Sequence, residues 1–126
     1  MIAYVTLGTN DLPRAAKFYD ELMGMLEAKR VFDMDRLIGW GRGPGQPVVV
    51  VCKPFDKNDA TVGNGVMVAM AVEKTEQVDA IYNKAMELGA TDEGPPGPRE
   101  TGAYCGYFRD LDGNKLNVVC YNVAAS

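Results

Sequence analysis

The chain carries one half-domain pattern twice, and this repeat constrains its fold more than any other feature. Residues 4–26 align with residues 67–89. In that match Tyr4-Val5 lies against Met67-Val68, Phe18-Tyr19 against Ile81-Tyr82, and Met23 against Met86. A second match, at a wider spacing, sets residues 45–52 against residues 113–120. The wider spacing implies five extra residues in the second half, placed most simply in its middle loops. A repeat of this period describes two copies of one supersecondary unit. Two similar modules also predict a cleft between them, because small-molecule sites favour such junctions.

Each copy reads in the order β-α-β-β-β. Residues 2–8 form a strand, and Thr9-Asn10-Asp11 offers N-cap candidates before Pro13 in the first helical turn. Leu12, Ala15, Phe18, Tyr19, Leu22 and Met23 then recur at helical spacing, with Gly24 near the end. Residues 27–33 and 36–41 read as a hairpin, and residues 48–53 as a β-branched strand. Residues 54–65 form a polar linker. In the second copy, residues 66–72 form a strand and Thr75 caps a helix. Val78, Ile81, Tyr82, Ala85 and Met86 stripe that helix, and Gly89 ends it. Residues 94–98, Gly-Pro-Pro-Gly-Pro, read as a stiff loop that carries most of the excess length. Residues 103–109 and 115–121 form a hairpin around Asp110-Leu-Asp-Gly-Asn114, a strong turn signal. Residues 123–126 are expected to fray.

A chain of 126 residues suits one domain, here with module one at 1–54 and module two at 65–122. A net charge of −4 argues against a nucleic-acid partner, which needs a clustered basic surface. No apolar run approaches the roughly 20 residues of a membrane span, so no membrane partner is expected. The first residues show no basic, apolar secretion signal. The three cysteines form an odd set without C-x-x-C spacing, which fits free thiols in a reducing cytoplasm. Histidine is absent, so the commonest metal ligand and general base near neutral pH are both missing.

The tandem modules, the helix start in Val5-Thr-Leu-Gly-Thr-Asn-Asp-Leu12 with Phe18-Tyr19, and the hairpin Phe108-Arg-Asp-Leu-Asp-Gly-Asn-Lys115 resemble the vicinal oxygen chelate superfamily. This is the glyoxalase, bleomycin-resistance and extradiol-dioxygenase family. The resemblance covers nearly the whole chain. It implies an α+β fold in which two tandem βαβββ modules make open curled sheets around a cleft. The family's metal enzymes place His or Gln on the first strand and Glu on the last strand of each module. Carried onto this chain, those positions are Tyr4, Val49, Met67 and Asn117. None suits a hard divalent ion: Val cannot ligate, Met is soft, Tyr must lose a proton, and Asn offers one weak carbonyl oxygen. No metal and no other cofactor is therefore expected.

Strand alternation groups Tyr4 and Thr6, Val49 and Val51, Met67 and Ala69, and Lys115, Asn117 and Val119 on the cleft. Val50, Cys52, Leu116 and Cys120 then fall beneath the helices. Tyr4 is the candidate acid, against the plainer reading of a packed aromatic. Asn117 must bond either a ligand or a neighbouring strand. Met67 and Val49 read as pocket wall. Trp40 either stacks a ligand or covers the core. Arg99, after the proline-rich stretch, either clamps an anion or pairs with Glu93 or Glu100. Tyr104 and Tyr107 are its associates. Cys105 is the one thiol that alternation leaves outside the helix-covered layer, and its expected role is inert. The Gly41, Gly43 and Gly45 spacing follows a hairpin and includes Pro44, so it is no dinucleotide loop.

These readings converge on a metal-free, glyoxalase-like protein that holds a small, partly apolar organic molecule and pairs as a homodimer. Two alternatives remain: a cofactor-free enzyme using acid/base chemistry, and a lyase or oxidoreductase with metal ligands elsewhere, such as Asp33, Asp35 or Glu100.

Overall fold

Asp11 opens the first helix of the structure, a computed structural model that describes residues 1–123. Its carboxylate accepts from the Arg14 backbone N–H at 3.1 Å, and Pro13 sits in the first turn, where a missing N–H costs nothing. The chain divides into two units, residues 1–62 and residues 63 onward. The first contains β1 (Tyr4–Gly8), α1 (Leu12–Gly24), β2 (Lys29–Asp33), β3 (Leu37–Gly41) and β4 (Val48–Cys52). The second contains β5 (Val68–Val72), α2 (Thr75–Glu87), β6 (Thr91–Pro98), β7 (Tyr104–Arg109) and β8 (Lys115–Cys120). The strand orders are β1-β4-β3-β2 and β5-β8-β7-β6. In each sheet the first and last strands pair in parallel and the other pairs are antiparallel. Neither sheet closes on itself. The α+β class and the doubled βαβββ order match the expectation from the repeat.

Three local expectations need correction. Strands β1 and β5 start at Tyr4 and Val68, later than their apolar runs suggest. Thr75 does not cap α2; it is the first helical residue, and Lys74 holds the cap position. The Gln77 side chain instead reaches back and accepts from the backbone N–H groups of Glu73 and Lys74. Residues 94–98 are no loop but the second half of β6. Prolines are tolerated there because β6 is an edge strand, where a missing donor breaks no internal ladder. Register shifts beside Gly94 absorb the irregularity. The other ends behave as read. Gly89 follows α2 at φ 100°, a left-handed conformation that glycine adopts without strain. The Asp110 carboxylate ties its turn by accepting from the Asp112 and Asn114 backbone N–H groups and from Asn114 Nδ2, each at 2.9 Å.

Register decides which side chains lie beneath each helix. In the first unit, Leu7 lies beside Val51, Ile38 beside Val51, and Trp40 beside Val49. These residues share the helix-covered side, where the Trp40 ring stands 5.5 Å from the Tyr19 ring of α1. In the second unit, Phe108 lies beside Leu116, and its ring stands 6.3 Å from the Tyr82 ring of α2. Each helix thus buries its apolar stripe on its own sheet. Burying a large apolar side chain in this way contributes about 1.5–3 kcal/mol.

Candidate functional site

The face of each sheet turned away from its helix, the far face, is where sequence reasoning expected a ligand. In the second unit this face carries Ala69, Ala71, Cys105, Tyr107, Arg109, Lys115, Asn117 and Val119, as the pairings Ala69–Asn117, Tyr107–Asn117 and Cys105–Val119 require. Asn117 is 6% exposed, and its Oδ1 has no hydrogen-bond partner. A buried, unanswered amide oxygen costs about 1–3 kcal/mol. Directly across from it stands Tyr107, with Arg99 and Lys115 over its ring at 5.3 and 5.6 Å from the centroid. The hydrogen-bonding Cys105 side chain holds the Tyr107 phenol above its ordinary pKa, burial pushes it the same way, and Arg99 opposes both. Ala103, Cys105 and Val119 form a small buried apolar cluster against Tyr107. The face thus brings together an apolar patch, one buried orphaned acceptor, a phenol and a lysine.

The first unit's far face differs. It carries Tyr4, Thr6, Val48, Val50 and Cys52, since Tyr4 pairs with Val48, Thr6 with Val50 and Gly8 with Cys52. Phe32 and Gly39 share it, packed so closely that a Cβ at Gly39 would lie 2.6 Å from the Phe32 ring. Tyr4 is 60% exposed, and Tyr4 and Thr6 bring this face's only side-chain oxygens among the described residues.

Sequence reasoning named seven site residues, and the two units place them differently. Asn117 lies on the second unit's far face, and Met67, just before β5, is 41% exposed. Tyr4 lies on the far face of the first unit. Val49 lies on the helix side, contrary to expectation, and Val50 and Cys52 take the far face in place of Val49 and Val51. Trp40 is 1% exposed and donates from Nε1 to Asp20 Oδ1 at 2.9 Å, which makes it core and not a stacking surface. Asp20 is held below its usual carboxylate range, first by its hydrogen bond from Arg30. Tyr104 faces α2 and donates its hydroxyl to Asp79 at 2.7 Å, which raises its pKa. Arg99 donates to the carbonyls of Pro95, Gly97 and Pro98 at 2.7, 2.8 and 3.3 Å, so its guanidinium pins β6. Arg109, on the same face as Asn117, pairs with Glu93 and donates to the Gly113 carbonyl at 3.0 Å.

The residues do not fit the divalent ion of the family's metal enzymes. Among the described residues there is no group of three or more His, Cys, Asp or Glu side chains that could hold one. On the first and last strands the far-face side chains are Tyr4, Thr6, Val48, Val50 and Cys52 in one unit and Ala69, Ala71, Lys115, Asn117 and Val119 in the other. An ammonium and aliphatic side chains oppose a hard cation, which wants imidazole or carboxylate. Sequence reasoning did not foresee two residues of the first unit's far face: Phe32, on an edge strand exposed throughout, and Val50, hidden in an unbroken valine run.

Comparison with known proteins agrees with this architecture. The structure is similar to that of a glyoxalase/bleomycin resistance protein from Albidiferax ferrireducens T118, with 34% identity over 95% of this chain and 98% of that one, at a TM-score of 0.87. A hypothetical protein, SA1046, from S. aureus is 26% identical over 95% and 92% of the two chains, with a TM-score of 0.73. A lactoylglutathione lyase from Agrobacterium tumefaciens shares the fold at 20% identity over 97% and 94% of the two chains, with a TM-score of 0.71. No curated protein sequence matches the chain. No helix among the described residues is long and apolar enough to cross a membrane. A family model described as the Glyoxalase/Bleomycin resistance protein/Dioxygenase superfamily matches residues 1–118, and the chain belongs to that superfamily.

Proposed function

We propose that this chain binds a small, partly apolar organic molecule on the far face of its second unit, without a metal ion. The orphaned Oδ1 of Asn117 carries the reading. A strand position that keeps an unanswered amide at a cost in stability is explained by a ligand that supplies the missing donor. Tyr107 and the Cys105 cluster offer an apolar wall beside it, and Lys115 adds a cation on the same face. The reading includes pairing of two copies of the chain, which sedimentation reads directly as a doubled mass.

Thermal unfolding of chelator-treated protein tests the reading. The panel holds Zn, Ni, Mn, Fe(II), Co and Mg, and then small amides, hydroxy acids and phenols. A binder at about 100 times its dissociation constant adds about 2.7 kcal/mol. For a domain of this size that raises the midpoint by roughly 10 °C. The expected result is a shift with an organic ligand that vanishes in Asn117→Val. A saturable shift with one metal would overturn the metal-free reading and favour carboxylates such as Asp33, Asp35 or Glu100 as ligands of a metalloenzyme.

A further inference from the structure

We infer that the first unit carries a separate binding site, on the α1 side of its sheet, for a small organic acid with an apolar body. A groove of about 400 Å³ lies there against the first half of α1. Leu12, Pro13, Ala16 and Ile38 give it an apolar floor, and Lys17, Arg30, Asp35 and Lys53 line it with charge. That volume falls within the range of small-molecule sites. A second groove of about 390 Å³ shares Asp35 and Lys53 and adds Arg36, Lys57 and Asp59. The pair sits where the chain leaves the carboxyl ends of parallel strands β1 and β4, since Thr9 follows Gly8 and Lys53 follows Cys52. Chains diverge at such ends, and the crevice between them is a favoured ligand position.

Ion pairs answer only part of the charge in the first groove. Arg30 is occupied by Asp20 and Asp33 at 2.8 and 3.0 Å. Among the described residues, Lys17, Lys53 and Asp35 form no ion pair. Two unpaired ammoniums thus face one carboxylate, on a chain whose net charge is −4. Lysine is a compact point charge suited to a single carboxylate oxygen. An inorganic anion would leave the floor wet, and a neutral hydrocarbon would leave the ammoniums unanswered. An apolar carboxylate satisfies both. This site belongs to the first unit and the helix side of its sheet, whereas Asn117 belongs to the second unit and its far face, and neither proposal rests on the other.

Titration of the full chain with 3-phenylpropionate, followed by ¹H–¹⁵N NMR at low salt, tests the site. The neutral control is 3-phenylpropanamide. Saturable shifts are expected at the amides of Leu12, Ala16, Lys17, Ile38 and Lys53. The acid should bind about tenfold tighter than the amide, as one charge contact would give. Lys17→Gln with Lys53→Gln should remove that preference, and Asn117→Val should leave it unchanged. Equal binding of acid and amide overturns the proposal, as does the absence of saturation by about 10 mM. Shifts centred on Lys115 and Asn117 also overturn it, by placing the acid on the second unit's far face. The acid-to-amide comparison uses unaltered protein, so it decides even if the lysine variants misfold.

Discussion

Equivalent positions on the two far faces hold opposite chemistry. Thr6 and Val50 stand side by side in the first unit where Ala69 and Asn117 stand in the second. Val48 in the first corresponds to Lys115 in the second. The aromatic also changes strand: Phe32 of β2 covers Gly39 of β3, whereas Tyr107 of β7 stands against Gly94 of β6. The helix-covered sides stay alike, with Trp40 on Tyr19 in one unit and Phe108 on Tyr82 in the other. Two copies of one template therefore keep their helix-covered sides and diverge on their far faces.

If the cores are equivalent, truncating either large ring should cost about the same. Trp40→Ala and Phe108→Ala are each expected to lose about 3–5 kcal/mol in urea unfolding. A loss confined to one of them breaks the equivalence. Asn117→Val makes the second far face resemble the first. It removes an unanswered amide and adds a β-branched residue to a strand, so it should stabilise by about 1 kcal/mol and abolish ligand shifts. Destabilisation would show that the amide is satisfied in solution.

The remaining tests are smaller and use pH. Asp20 has a lowered pKa, first through Arg30, so the stability it contributes is present above its unfolded value of 3.8 and is lost as pH falls below that. Its side chain is 43% exposed, so solvent screening keeps the effect under about 1 kcal/mol. Asp20→Asn should flatten the acid limb of a stability–pH curve. Tyr82 donates to Asp92 at 2.7 Å, and its pKa is pushed up from 10.0 to about 12. Its contribution is therefore present below pH 10 and is lost as pH rises through about 12. Tyr82→Phe should remove that alkaline loss and cost under about 1 kcal/mol at neutral pH. An unchanged alkaline limb would show that the bond is absent in solution.

The repeat made the fold legible, because caps, helical stripes and the Asp-Gly turn are local signals. The first far face was not legible, for a specific reason. Matching Gly45 to Gly113 and Cys52 to Cys120 pairs Val49 with Asn117, whereas the sheet registers pair Val50 with Asn117. A slip of one residue turns every side chain of a strand to the other side. The run Val48–Cys52 is apolar throughout and offers no alternation to reveal the slip. In β8, Lys115 and Asn117 alternate with Leu116 and Val118, so the two sides of that strand were legible, whereas Tyr104, expected beside Arg99, faces α2. Trp40 was undecidable locally, because only its contacts with Tyr19 and Asp20 make it core. The β6 strand was hidden by its prolines, which argue for a loop unless the strand lies at an edge.

Those prolines have a consequence for association. Exposed strand edges invite another chain to add itself by backbone hydrogen bonding, the first step of many aggregates. On β6, Pro95, Pro96 and Pro98 have no N–H to offer, and Arg99 already occupies the carbonyls of Pro95, Gly97 and Pro98. Much of the edge is stripped of donors and has its acceptors taken. A neighbouring strand would find little ladder to extend there, so this border of the sheet resists fibre-like growth.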